Sequence, residues 1–170
     1  MYADILTVNS FVSPWYWLLV AILWVRAIQW TLGIPSDVMR AARKGDAAAH
    51  KDALALMDIH IRSVTRDFNH FGMILVLVTC FVLASFATLG FWNDVTMLQG
   101  VFLISFPMVL IGGMDIRLAI RLQKQPVDWA ELCRIYRKQR RLKFALALLF
   151  LLISMLWALF LEIRPLLEQL

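Results

Sequence analysis

Four apolar stretches alternate with polar segments along the chain. They cover residues 14–34, 71–92, 95–114 and 144–161. An α-helix rises about 1.5 Å per residue, so a stretch of about 20 residues crosses the roughly 30 Å of hydrocarbon in a bilayer. The pattern therefore predicts an all-α polytopic membrane protein, in which four transmembrane helices form a single membrane domain over residues 1–170.

The polar segments at 35–70 and 115–143 also carry helical patterns. Five apolar residues of the first segment recur at steps of three and four, which is the spacing of one helix face. They are Leu54, Met57, Ile61, Val64 and Phe68. No helix breaker separates this seam from the second stretch, so we expect the second transmembrane helix to extend into the cytoplasm. The helix leading into the fourth stretch is expected to extend likewise and to pack on the seam. The alternative is that both segments lie flat on the membrane as amphipathic helices.

Composition supports a membrane location, and the distribution of charge predicts an orientation. Hydrophobic residues make up 61% of the chain and charged residues 17%, with a formal net charge of +5. Fifteen of the 17 lysines and arginines lie within residues 35–70 and 115–143. Cytoplasmic loops carry such an excess of basic residues, so both termini are expected on the periplasmic side. Because topology accounts for the charge, we expect no nucleic-acid partner.

Arg26 is the one charged residue inside the four apolar stretches. A charge at this depth is costly unless it is paired or reaches an interface. Extended outwards, Arg26 would reach Ser105 and the carbonyl of Leu103, which Pro107 deprives of its usual donor. Extended inwards, it would reach Asp115. We expect one of these pairings rather than a role in transport. The alternative is that Arg26 snorkels to the cytoplasmic interface.

A block of basic residues borders the fourth apolar stretch. It comprises Arg137, Lys138, Arg140, Arg141 and Lys143. Contact with anionic lipid head groups is the first interpretation of this block. Docking of an acidic cytosolic partner is the second.

Motifs for catalysis, metal binding or cofactor binding are absent from the sequence. His50, His60 and His70 are ten residues apart, and each step rotates a helix position by about 280°, so the three do not share a face. Nucleophile elbows, phosphate-binding glycine loops and zinc spacings do not occur. Gly112 and Gly113 are explained by close helix packing. We therefore expect no enzyme activity, no metal and no cofactor.

Several short motifs in the first 120 residues carry a resemblance to a known family. They are Ser13-Pro-Trp-Tyr-Trp17, Trp30-Thr-Leu-Gly-Ile-Pro-Ser-Asp37, Leu89-Gly-Phe91, Gln99-Gly-Val-Phe-Leu103 and Phe106-Pro-Met-Val-Leu110. The chain thereby resembles a family of small four-helix inner-membrane proteins from α-proteobacteria, often labelled a component of the Suf (SufBCD) complex. The resemblance implies a bacterial inner-membrane location and an accessory role, and it transfers no active-site residue.

These observations favour a non-enzymatic accessory or adaptor subunit. Such a subunit packs against a larger inner-membrane complex, which is respiratory, photosynthetic or biosynthetic. Its basic cytoplasmic helices serve as a docking surface or contact anionic lipids. The alternative is a small bracing subunit of a secondary transporter, although such subunits usually keep their termini in the cytoplasm, opposite to the orientation that the charges predict.

Overall fold

The computed structural model of the protein describes residues 14–125 and 127–167, and within them the chain is all-α and about 90% helical. The helices are α1 (Pro14–Gln29), α2 (Ser36–Arg43), α3 (Ala47–Ala87), α4 (Thr96–Lys124) and α5 (Trp129–Leu167). Strands β1 (Trp30–Thr31) and β2 (Ile34–Pro35) separate α1 from α2, and a π-helical turn (Thr88–Trp92) continues α3. Three of the described helical stretches are long and apolar enough to cross a membrane, namely Ala47–Trp92, Thr96–Lys124 and Trp129–Arg164.

Helix α1 ends earlier than the sequence pattern predicts. The expected boundary at residue 34 is wrong, because α1 stops at Gln29 and a two-stranded hairpin follows. Leu32 and Gly33 adopt φ values of 57° and 72°. Positive φ at both loop residues is the geometry of a type I′ hairpin turn, which pairs Trp30 with Pro35. The apolar run thus contains a turn that its hydropathy does not reveal.

The hairpin contributes three almost fully buried residues to the fold. Thr31, Leu32 and Ile34 are each at most 1% exposed. Leu32 packs with Ile61, Ala119, Leu122 and Leu132, whereas Ile34 packs with Met39, Ala42, Ala53, Cys133 and Tyr136. The hairpin therefore fills the space between helices at one end of the bundle. This end also holds most of the basic residues, and we call it the basic end.

Helix α3 has a charged first half and an apolar second half. Asp46 caps its start by accepting hydrogen bonds from the backbone N–H groups of Ala48 and Ala49 at 2.9 and 3.2 Å. Charged residues continue as far as Asp67, and none occurs from residue 71 to residue 93. The half that suits a membrane interior therefore starts near Phe71, although the helix itself is continuous.

The π-helical turn brings α3 against α4 at the opposite end of the bundle, which we call the far end. A Cβ added to Gly90 would lie only 2.9 Å from the backbone nitrogen of Gln99, so this approach requires a glycine. Asp94 then adopts a φ of 53° in the tight connection to α4. The two apolar stretches at 71–92 and 95–114 are thus joined by a tight turn, which the π-helical turn precedes.

Helix α1 packs on the apolar parts of α4 and α5. Its buried residues Val20 and Trp24 form a cluster with Ile104, Ile111 and Ala147. The opposite faces of the bundle are largely open. In the most apolar 18-residue stretch of each helix, only 6% of the residues of α3 and 11% of those of α5 are buried, against 33% for α4. Helix α4 is thus the centre of the bundle, and α3 and α5 present broad apolar surfaces.

Candidate functional site

A buried ion pair joins α4, α5 and the hairpin at the basic end. Lys143 is 1% exposed, and its Nζ donates to Asp115 Oδ2 at 2.8 Å and to the carbonyl oxygen of Trp30 at 3.2 Å. Gln139 Nε2 donates to the other carboxylate oxygen of Asp115 at 3.1 Å. A buried ammonium is tolerated only when it is paired and hydrogen-bonded, and both conditions are met here.

The position of Lys143 on α5 explains its burial. The buried residues of this helix recur mainly at helical spacing along one face. They are Leu132, Cys133, Tyr136, Gln139, Lys143, Ala147 and Ser154. Lys143 lies four residues after Gln139 and four before Ala147, so it faces inwards with them. The prediction that Lys143 contacts lipid or a partner is therefore wrong. The helical spacing of Lys143 from Gln139 and Ala147 was the available signal in the sequence, and the basic block conceals it.

Arg26 points towards the basic end and not to a partner inside the bundle. Its guanidinium lies 4.8 Å from the centroid of the Trp30 ring, a cation–π arrangement. The predicted pairing with Asp115 is wrong, because Lys143 and Gln139 occupy that carboxylate. Arg26 thus extends in the direction of the snorkelling alternative.

The outward pairing of Arg26 is wrong as well. Arg26 is exposed, whereas its predicted acceptor Leu103 is buried at 8% exposure in the core. Ser105, the other predicted acceptor, is half-buried on α4. Because the Arg26 guanidinium is held over Trp30 at the basic end, it points away from this level of the bundle.

A cavity of about 340 Å³ opens beside the ion pair. Its lining comprises Trp30, Leu32, Gly33, Leu56, Ile59, His60, Ser63 and Asp115. The side chain of Asp115 is 24% exposed, so it faces both Lys143 and this opening. A Cβ on Gly33 would lie 2.5 Å from the Cβ of His60, so the hairpin packs directly on α3 here.

The cavity contains a histidine, a serine and an aspartate, the residue types of a nucleophile triad. His60 lies in the charged half of α3, outside the apolar segment, and burial lowers its pKa; Asp115 opposes this shift and Lys143 adds to it. Ser63 Oγ donates to Asp67 at 3.4 Å, and Asp115 is held by Lys143. A nucleophile triad requires the serine to donate to the histidine and the histidine to the acid. Ser63 bonds to Asp67 and Asp115 bonds to Lys143, so these described residues do not form such a triad.

An apolar groove of about 420 Å³ lies between α3 and α4. Its lining includes Phe68, Leu75, Val76, Thr79, Cys80, Val109, Gly112, Gly113, Ile116, Arg117 and Ile120. A Cβ added to Gly112 or Gly113 would meet no atom within 4 Å. No described helix of this chain packs closely on these glycines, so the close helix packing predicted for them is not made among the described residues.

The basic block of α5 lies at two surface grooves. Arg137, Arg140 and Arg141 line a groove of about 500 Å³ against α1, together with Val25, Ile28, Gln29 and Phe144. Lys138 lines a neighbouring cleft of about 550 Å³ with Arg134, Arg137 and Arg141. Four of the five residues predicted for lipid or partner contact are thus at the surface, and Lys143 is the exception.

The seam predicted on α3 is partly internal. Ile61 is buried, and Met57 and Val64 pack in the same cluster as Leu132 of α5. Phe68 is half-buried, whereas Leu54 is 37% exposed. The inner face is rotated slightly from the predicted one, because Ala53 and Thr65 occupy buried positions that a pattern of large apolar residues misses.

A second polar network lies at the far end. Gln99 is 2% exposed; its Nε2 donates to the carbonyl of Gly90 at 2.9 Å, and its Oε1 accepts from Trp157 Nε1 at 3.0 Å. Tyr16 OH donates to the carbonyl of Gly100 at 3.4 Å. Sequence reasoning missed this network. A lone amide in the apolar stretch 95–114 was the available signal, since buried polar groups in such a stretch need partners.

Comparison with known proteins finds no relative of this chain. No protein-family profile, curated protein or solved structure matches the chain. Within residues 14–125 and 127–167, no three His, Cys, Asp or Glu side chains are grouped so that they could hold a metal ion. The ion pair, the cavity and the grooves are therefore the features of the molecule that bear on its function.

Proposed function

We propose that the protein is a non-enzymatic adaptor subunit of a larger complex in a bacterial inner membrane. In this proposal a transmembrane helix of that complex occupies the groove between α3 and α4. The observation that carries the proposal is the pair of adjacent glycines, Gly112 and Gly113, which line an apolar groove where an added Cβ would meet no described atom within 4 Å.

The lining of the groove suits a helix. Small residues let helix backbones approach closely in a membrane, where association depends on packing and not on expulsion of water. From Val109 to Ile120 the lining covers about 17 Å of α4 at 1.5 Å per residue, or roughly three helical turns. Only 6% of the most apolar 18-residue stretch of α3 is buried, so over most of this stretch no other described part of the chain covers the helix.

The proposal includes α1 as a fourth membrane helix. It has 16 residues, or about 24 Å of helix, and the hairpin extends its path. The bond from Tyr16 to Gly100 fixes α1 near the start of α4, and the bond from Lys143 to Trp30 fixes its other end beside Asp115. With four spans, the positive-inside rule puts the basic end in the cytoplasm and both termini in the periplasm.

Substitution of the groove glycines tests the docking proposal. Gly113→Leu and Gly112→Leu should leave the isolated protein folded, because the added side chain points into open space. The partner subunits that co-purify with the wild-type protein after gentle solubilisation should be lost or strongly reduced. Ala84→Leu, at an exposed position of α3 outside the groove, is the control and should retain them. Equal recovery with all three variants, or a protein that always migrates alone, would contradict the proposal.

The orientation has a separate test. A reporter active only in the cytoplasm and one active only in the periplasm are fused in turn to each terminus. We expect periplasmic signals at both ends. A cytoplasmic signal at one end only would overturn the four-span topology. Cytoplasmic signals at both ends would overturn the orientation and favour the bracing subunit of a transporter.

A further inference from the structure

The groove between α1 and α5 combines charge with an apolar floor. Arg137, Arg140 and Arg141 line one side of a space of about 500 Å³, and Val25 and Phe144 lie among its apolar residues. Each of these arginines lies within two turns of the point where α5 becomes continuously apolar, at residue 144. The guanidinium groups are therefore at the level where phospholipid head groups meet the hydrocarbon.

Near the groove, the charged residues of its two helices, α1 and α5, are all basic. Between Glu131 and Glu162 helix α5 contains no acidic residue, and α1 contains none at all. Arg134 and Lys138 line the adjoining cleft and add to the positive potential. Arg137 is also oriented, because its Nε donates to the carbonyl of Cys133 at 3.3 Å. This end of the groove suits an anion with several acceptor oxygens, and guanidinium groups bind phosphate by paired hydrogen bonds.

Two ridges of exposed apolar side chains run from the groove towards the far end. One comprises Leu18, Ile22 and Val25 of α1, and the other Phe144, Leu148 and Leu152 of α5. All six side chains are more than half exposed. The ridge on α5 extends about 12 Å along the helix. A free phosphate or an acidic peptide would leave both ridges uncovered, whereas acyl chains would cover them.

We propose that this groove is a discrete binding site for one anionic phospholipid. The phosphate is held by Arg137, Arg140 and Arg141, and the acyl chains lie along the two apolar ridges. The site lies between a different pair of helices from the docking groove of α3 and α4, so it does not depend on a partner subunit. It assigns the basic block a specific ligand in place of a diffuse attraction to the membrane surface.

Lipid titration of the purified full-length protein tests the site. In a neutral detergent, added phosphatidylglycerol should appear by native mass spectrometry as one tightly retained lipid per chain, and phosphatidylcholine with the same acyl chains should not. Arg140→Gln with Arg141→Gln should weaken retention of phosphatidylglycerol by at least about tenfold, given the usual contribution of a basic residue near a lipid head group. The matched control removes two exposed basic residues of the basic end outside the groove, Arg43→Gln with Lys44→Gln, and should bind as the wild type does.

A second variant separates a groove from a merely charged surface. Val25→Trp fills the apolar floor at an exposed position and leaves all three guanidinium groups in place. It should also lower retention of phosphatidylglycerol, whereas glycerol phosphate should not compete in any variant. The proposal is overturned if the arginine variant binds like its control, if the tryptophan variant binds like the wild type, if phosphatidylcholine is retained equally, or if glycerol phosphate displaces the lipid.

Discussion

The two ends of the bundle hold α4 and α5 together by different means. At the basic end the connection is an ion pair between Lys143 and Asp115. At the far end the buried connection is a neutral hydrogen bond between Trp157 and Gln99. An ion pair between Arg164 and Asp94 lies nearby at 3.3 Å, but both of its side chains are exposed, so it should contribute little. Both buried connections also reach a third element, since Lys143 donates to the hairpin and Gln99 donates to the π-helical turn at Gly90. The same three-way joint is thus built once with formal charges and once without.

The difference determines how each joint fails. A buried pair of opposite charges is tolerable only while both partners are present, because either one alone is an uncompensated charge in a poorly solvated site. A neutral network that loses one member leaves only an unsatisfied dipole, which costs less. The basic end should therefore be sensitive to single substitutions and tolerant of paired ones. The far end should show smaller effects that do not depend on restoring charge balance.

The largest effect is expected for Asp115→Asn. This change keeps the shape of the side chain but leaves the ammonium of Lys143, which is 1% exposed, without a counter-charge. We expect a loss of about 3–5 kcal/mol in the free energy of unfolding, measured by titrating the protein in mild detergent with sodium dodecyl sulfate. Asp58→Asn is the control, because it breaks an exposed pair with Arg62 and should cost at most about 0.5 kcal/mol.

The double variant Asp115→Asn with Lys143→Met sharpens this result. It removes both charges, so it should recover more than half of the stability that Asp115→Asn loses, even though the carbonyl of Trp30 loses its donor. A double variant as unstable as the sum of the two single variants would show that the charges do not stabilise each other.

The corresponding change at the far end is Gln99→Leu. It removes the hydrogen bonds to the carbonyl of Gly90 and to the indole of Trp157, and the expected loss is about 1–3 kcal/mol in the same unfolding titration. Because no charge is involved, Gln99→Leu combined with Trp157→Phe should not recover stability as the double variant at the basic end does. Recovery of most of the loss would contradict the contrast between the two ends.

Backbone approach at the far end provides a further test. In Gly90→Ala the new Cβ would lie 2.9 Å from the backbone nitrogen of Gln99, so α3 and α4 must move apart. We expect a loss of about 1–3 kcal/mol, the usual cost of overpacking. Gly113→Ala is the matched control; its Cβ meets nothing within 4 Å, and alanine favours a helix, so it should be neutral or slightly stabilising in the isolated protein. Equal effects would show that the π-helical turn adapts.

The sequence predicts the apolar helices well and the polar joints poorly, for physical reasons. Hydropathy is a property of a whole stretch, so the positions of the apolar parts of α4 and α5 follow from it. Burial of one side chain depends on the face on which it lies, and a block of five basic residues conceals that Lys143 faces inwards with Ala147. The partner of Asp115 depends on which helix packs beside it, and the sequence pattern does not contain this information.

The hairpin was missed for a different reason. Gly33 and Pro35 both indicate the end of a helix. They do not show whether the helix ends directly before them or several residues earlier. Only the burial of Leu32 and Ile34 in two separate clusters decides between these cases. That burial involves α4 and α5, more than 80 residues along the chain from the hairpin.

The smallest expected effect is a dependence on pH that belongs to the basic end alone. Burial lowers the pKa of His60 below its ordinary value of about 6.5. The folded protein therefore binds fewer protons than the unfolded chain below that value, and stability falls as the pH drops through the folded pKa. Asp115 and Lys143 act on His60 in opposite directions, so a small net effect is expected.

The midpoint of thermal unfolding should decrease from pH 7 to pH 5 in the wild-type protein. The decrease should be shallower in His60→Gln but unchanged in His70→Gln, which removes an exposed histidine of the same helix. If both variants retained the full slope, the pH response would come from elsewhere, and the cavity beside the ion pair would have no part in it.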